Sequence, residues 1–135
     1  MTAITTRPVA ESTDSLLRFA LRADATLCGA IGLLVAMAAD PLSRLTGLSP
    51  TSEWIAGAAL VVYGAALYAG AGLSDVKRVG IGVLAGNVVF AIMVTLVLVA
   101  GWLPLTQVGV VATAAFTVVT LAFAYAQFLG VRRLA

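Results

Sequence analysis

Apolar residues fall in four long runs along this chain, separated by short polar breaks. The runs cover roughly residues 16–39, 54–72, 79–102 and 106–129. Each is near the 20 or so helical residues that cross a hydrocarbon core of about 30 Å at 1.5 Å per residue. Backbone polar groups in lipid must find partners within the protein. Runs this long and this rich in Ala, Leu and Gly therefore fit helices, not the ten-residue alternation of barrel strands. The expected fold is all-α: a polar segment over residues 1–15, then four transmembrane helices in one antiparallel bundle over residues 16–135.

The breaks carry helix-boundary chemistry. Ser12 or Thr13 can cap the first span, and Asp14 is placed to pair with Arg18 one turn later. Asp40 and Pro41 read as a cap and first helical position, and Leu42, Leu45 and Leu48 then recur every three residues. That pattern predicts a short helix or turn at the membrane surface. Ser49 and Pro50 with Glu53 restart the second span. Ser74, Asp75, Lys77 and Arg78 make a polar turn before the third, and Trp102 and Pro104 close it. Ala36-Met37-Ala38 has the small-residue form of a signal cleavage site. Arg22 and Asp24 lie too close to that apolar run, and the polar stretch before it is long, so an uncleaved first span is expected.

Composition removes the soluble alternative. Apolar and aromatic residues make up 61% of the 135 residues and charged ones 10%, against about 25% charged in an ordinary soluble domain. The mean hydropathy is +1.08, leaving too little polar surface to cover a water-soluble domain. The charge that remains is directional. In a four-span bundle Arg7, Arg18, Arg22, Lys77, Arg78, Arg132 and Arg133 share one side, and Arg44 alone occupies the other. The positive-inside rule then places both termini in the cytoplasm and the chain in the plasma membrane as a multi-pass protein. The pI of about 9.1 reflects orientation, and no nucleic-acid partner is expected. Anionic lipid headgroups on the cytoplasmic side are the partners this basic cluster suits.

Packing between helices in lipid relies on small residues that let backbones approach. Ala25, Gly29, Gly32, Ala36 and Ala39 form one stripe of the first span. The second span repeats GAAL at Gly57 and Gly64, one heptad apart, with Ala71 a further heptad on. The third holds a GxxxG at Gly82 and Gly86. The fourth has a polar stripe instead: Thr106, Gly109, Thr113, Thr117, Thr120, Ala124 and Gln127. Its hydroxyls can bond back to their own helix or line an interior that admits a ligand or water.

Ionisable residues within a span are functional candidates, and the first span carries Arg22 and Asp24. Two residues apart, they point about 200° away from each other and cannot satisfy one another. By depth, Asn87 lies on the order of 12 Å into the third span and Gln127 roughly 8 Å from the cytoplasmic end of the fourth. Tyr68 and Tyr125 fall at a similar level. Arg22, Asp24, Tyr68, Asn87, Tyr125 and Gln127 are thus expected to converge in the cytoplasmic third, with Asp24 accepting hydrogen bonds from Asn87 or Gln127. The competing expectation is that these residues are interhelical glue plus an arginine reaching for the interface.

Catalytic vocabulary is sparse. The chain has no His and one Cys, Cys28, so no His-bound metal or haem, internal disulfide or dithiol pair can be built. Paired carboxylates, a nucleophile with its base and a phosphate-cradling loop are also missing. No cofactor, no metal and no enzymatic activity are expected. Cys28, within the apolar run, reads as a small hydrophobe.

RADA at Arg22 to Ala25 with Gly29 and Gly32, the GN of Gly86 and Asn87, LPLTQVG from Leu103 to Gly109 and AQFLGVRR from Ala126 to Arg133 span most of residues 18–133. In these elements the chain resembles uncharacterised small four-helix integral membrane proteins of actinobacteria. The resemblance implies the four-helix fold and directs attention to Asp24, Asn87 and Gln127; it implies no activity. Small multidrug resistance transporters are similar in size and helix number, but their embedded Glu in the first helix has no counterpart, and the charge bias here is stronger. Two functions are expected. One is a non-enzymatic component that assembles with itself as a homo-oligomer or joins a membrane complex. The other is a carrier or binder of a hydrophobic or cationic small molecule or lipid, using the cluster near Asp24 and the Thr face of the fourth span.

Overall fold

The computed structural model describes residues 13–134. They form five helices in chain order: α1 (Ser15–Met37), α2 (Ala39–Thr46), α3 (Pro50–Gly70), α4 (Val76–Ala100) and α5 (Gln107–Arg132). No strand occurs among the described residues. All but α2 are long and apolar enough to cross a membrane.

Helix boundaries follow local chemistry. Asp14 precedes α1 and pairs with Arg18 at 3.0 Å, as its spacing predicts; Ser12 lies outside the described residues. The first span stops at Met37, earlier than its apolar run suggests, because Pro41 lacks the N–H that would bond the Met37 carbonyl. The chain turns at Ala38 and α2 begins at Ala39, ahead of the expected Asp40 cap, with Asp40 in its first turn. Glycine ends this helix at Gly47, whose φ of 89° is left-handed. A Cβ at Gly47 would also lie 2.3 Å from the Pro104 carbonyl oxygen. Helix α3 starts four residues before its apolar run, since Ser49 accepts from the Ser52 N–H at 3.1 Å and Pro50 occupies the first helical position. Asp75 caps α4 and Thr106 caps α5 in the same manner.

Helix α1 is the central element. It packs along α3 and α5, and α5 packs on α4, whereas α3 and α4 meet at only a few positions. Glycines make the α1–α3 approach possible. A Cβ at Gly57 would stand 2.5 Å from the Ala36 nitrogen, one at Gly32 2.6 Å from the Gly57 oxygen, and one at Gly64 2.7 Å from the Ala25 oxygen and 3.0 Å from the Gly29 nitrogen. The pairs run in opposite order along the two helices, so the packing is antiparallel. Gly82 and Gly86 behave otherwise and correct the expectation of a third close-packed stripe. A Cβ at either would meet nothing within 4 Å, because α3 does not close over that part of α4.

The two ends are tied differently. Leu17 is fully buried and sits where Cβ atoms on Gly80 of α4 and Gly130 of α5 would come within 2.7 Å of it. Leu21, Ala25, Leu67, Ala71 and Val76 complete the core at this end. Arg18 donates to the carbonyls of Ala71 at 2.7 Å and Leu73 at 2.9 Å, clasping the α3–α4 turn to the start of α1. At the other end the Thr106 N–H bonds the Thr46 carbonyl at 2.8 Å, and Thr46 donates to the buried carboxylate of Glu53. The outer surface is apolar: Met37 is 83% exposed and Val99 81%, as a lipid-facing surface requires.

Candidate functional site

Four helices each contribute a polar side chain at one depth. Asp24 on α1 is buried, as are Asn87 on α4 and Gln127 on α5. Its Oδ2 accepts from Gln127 Nε2 at 2.8 Å and from Asn87 Nδ2 at 3.1 Å. Asn87 Nδ2 also donates to Gln127 Oε1 at 3.0 Å, which closes a triangle of three side chains from three helices. From α3, Tyr63 donates its hydroxyl to Asn87 Oδ1 at 3.0 Å. The Cys28 thiol, one turn beyond Asp24, lies 3.4 Å from Asp24 Oδ1.

Every donor to this carboxylate is neutral. Among the described residues the ion pairs join Asp14 to Arg18 and Asp75 to Arg78, and neither involves Asp24. Arg22 is exposed, with its guanidinium 5.9 Å from the Tyr68 ring centroid. Hydrogen bonding can hold a carboxylate away from water, but a bare countercharge deficit in a low-dielectric site remains costly.

The network floors a cleft of about 560 Å³ between α3 and α4. Its walls come from Ala56, Ala59 and Leu60 on α3 and from Phe90 and Phe116, whose rings meet edge to face at 6.2 Å. Asp24, Cys28, Tyr63, Gly86, Asn87 and Thr120 line it as well. Apolar walls, a few converging polar groups and a volume of this order, within the roughly 300–1,000 Å³ of small-molecule pockets, are the usual make-up of a ligand site.

Asp24, Asn87 and Gln127 therefore come together, and Arg22, Tyr68 and Tyr125 do not join them. Tyr68 is 54% exposed and Tyr125 64%; depth along a span says nothing about the direction a side chain takes around it. Thr113, Thr117 and Thr120 follow one side of α5, with Thr117 and Thr120 buried. Their hydroxyls are spent on their own helix: Thr117 donates to the Thr113 carbonyl at 2.8 Å and Thr120 to that of Phe116 at 3.0 Å. Only Thr120 of the three reaches the cleft.

Sequence reasoning missed Tyr63 and the cleft, and treated Cys28 only as a small hydrophobe. A signal for Tyr63 was present. Ala56, Ala59, Leu60 and Tyr63 follow the three-and-four spacing of one helix face, beside the Gly57 and Gly64 stripe that faces α1. Comparison with known protein families, with curated proteins and with solved structures found no match.

Proposed function

We propose that this chain is a multi-pass plasma-membrane protein, both termini cytoplasmic, that binds a hydrophobic or cationic small molecule or lipid in the α3–α4 cleft. The observation that carries the reading is the coincidence of that cleft with the only four-helix polar network among the described residues, centred on Asp24. Glue between helices needs no cavity beside it. A ligand reaches the site sideways from the bilayer, between two helices that hardly touch. Native mass spectrometry of protein released from mild detergent tests this. The parent is expected to carry a retained small molecule or lipid that Ala59→Phe, filling the cleft, expels and that Val99→Phe, on the outer surface, leaves in place. A parent without retained mass, or two variants that behave alike, sinks the proposal.

Assembly with a second copy or another membrane protein is the second reading. It is favoured by the Gly82–Gly86 face, where an added Cβ would meet nothing within 4 Å among the described residues and which can admit a close helix partner. Anionic headgroups are proposed to meet Arg132 and Arg133, which with Leu16 and Leu129 surround a hollow of about 300 Å³.

A further inference from the structure

We infer that the cleft's occupant is a lipophilic ammonium ion, a protonated amine still bearing an N–H, whose charged end docks on Asp24 Oδ1. The apolar body of the molecule then lies between α3 and α4. This inference rests on the cleft being a ligand site and names the chemistry that the site selects.

The two carboxylate oxygens of Asp24 are not equivalent. Oδ2 takes both amide donors, while among the described residues Oδ1 accepts from the Cys28 thiol alone, a weak donor, at 3.4 Å. Gln127, one donor to Oδ2, is fully buried and does not line the cleft, whereas Asn87, the other donor to Oδ2, and Cys28, the donor to Oδ1, both line it. Asp24 itself lines the cleft, and Oδ1, with a single thiol donor among the described residues, is the carboxylate oxygen with accepting capacity left for a ligand there.

Charge decides the rest. Among the described residues Cys28 on α1, Tyr63 on α3, Asn87 on α4 and Gln127 on α5 are the groups of the hydrogen-bond network around this carboxylate, and none is a cation. Arg22 is turned to Tyr68. An anion would face the carboxylate with nothing to offset the repulsion, and a neutral molecule would leave the buried charge deficit as it is. A cation completes an ion pair in a low-dielectric site. A bare metal ion is poorly served, since hard cations take six or more oxygens. The amides of Asn87 and Gln127 turn N–H groups, not oxygens, toward Asp24. An N–H-bearing ammonium needs one acceptor, makes a charge-assisted bond to it, and finds its remaining surface met by Ala59, Leu60, Phe90 and Phe116.

The test is equilibrium binding of radiolabelled N,N-dimethyldodecylamine to the full chain in phosphatidylcholine nanodiscs at neutral pH, with empty nanodiscs subtracted. Dodecyltrimethylammonium and dodecanol serve as competitors of equal chain length. Saturable binding is expected, at least about tenfold weaker in Asp24→Asn, with the trimethyl compound at least about tenfold poorer than the amine and dodecanol without effect. Equal competition by dodecanol or by the trimethyl compound, or unchanged binding in Asp24→Asn, overturns the ammonium assignment. If Ala59→Phe still abolishes binding in that case, the cleft stands as the site. Binding that Ala59→Phe leaves untouched, or no saturable binding to the parent, overturns both. Should Asp24→Asn fail to fold, the three compounds on the parent decide the matter alone.

Discussion

Gln127 and Tyr63 belong to the same network but hold very different positions in it. Gln127 has no exposed surface, donates to Asp24 and accepts from Asn87. Tyr63 is 38% exposed and makes one bond, to Asn87. Interhelical hydrogen bonds within membranes average about 0.6 kcal/mol and reach about 1.7. Replacing Gln127 by Leu removes a donor and an acceptor together, leaving an Asn87 N–H unmet and Asp24 with one amide fewer. A loss of about 1 to 2 kcal/mol is expected. Tyr63→Phe keeps the ring on the cleft lining, gives up one bond at a more exposed position and should cost about 0.5 kcal/mol or less. Reversible unfolding in mixed micelles measures both, and equal losses would contradict the ranking. Neither change removes the hydrogen bond to Asp24 Oδ1, the oxygen on which an ammonium group is proposed to dock.

Glycine has opposite consequences on α3 and α4, and the difference is one of partners, not of intrinsic propensity. At Gly57 a Cβ would press to 2.5 Å from the backbone of α1, whereas at Gly82 it would meet nothing within 4 Å. Alanine is favoured over glycine in a helix interior by roughly 0.5–1 kcal/mol. Gly82→Ala is therefore expected to stabilise by about that amount, while Gly57→Ala forces α1 and α3 apart and destabilises by about 1–3 kcal/mol, as overpacking does. Thermal unfolding in detergent separates the two by sign; a gain at Gly57 or a loss at Gly82 would refute the packing described. The same contrast shows how far the chain could be read in advance. Spans, the cap at Ser49, the polar turn at Asp75 and the small-residue approach of α1 to α3 were legible because each depends on local pattern. Which GxxxG finds a partner was not, since Gly82 and Gly86 state only that an approach is permitted. Within the site, helical rise places Asp24, Asn87 and Gln127 at one level. Choosing Tyr63 over Tyr68 needs the direction around α3, which the Gly57 and Gly64 stripe hints at and the tertiary contacts with α1 establish.

At the scale of the molecule, the bundle is asymmetric from end to end and from side to side. One end is locked by Leu17 between Gly80 and Gly130 and by Arg18 across the α3–α4 turn; one side is open where α3 and α4 part. These asymmetries coincide with a third, in charge. Arg18, Arg22, Lys77, Arg78, Arg132 and Arg133 all belong to the locked end, and Arg44 to the other. Because basic residues resist translocation, the locked end is proposed to face the cytoplasm, which puts the Asp24 network on the cytoplasmic side of the midplane, roughly 14 Å in from the start of α1. A ligand held there would lie nearer the inner leaflet than the outer. Single-cysteine variants in a Cys28→Ser background provide the check, as serine keeps a donor beside Asp24 and removes the competing thiol. Arg44→Cys and Lys77→Cys both replace exposed side chains that take no part in the network, Arg44 on α2 and Lys77 in the first turn of α4. In intact cells a membrane-impermeant maleimide is expected to label Arg44→Cys and to reach Lys77→Cys only after lysis. The reverse pattern would invert the molecule and move the network to the outer half of the bilayer, and labelling of both in intact cells would mean a mixed orientation that the seven-to-one distribution of basic residues argues against.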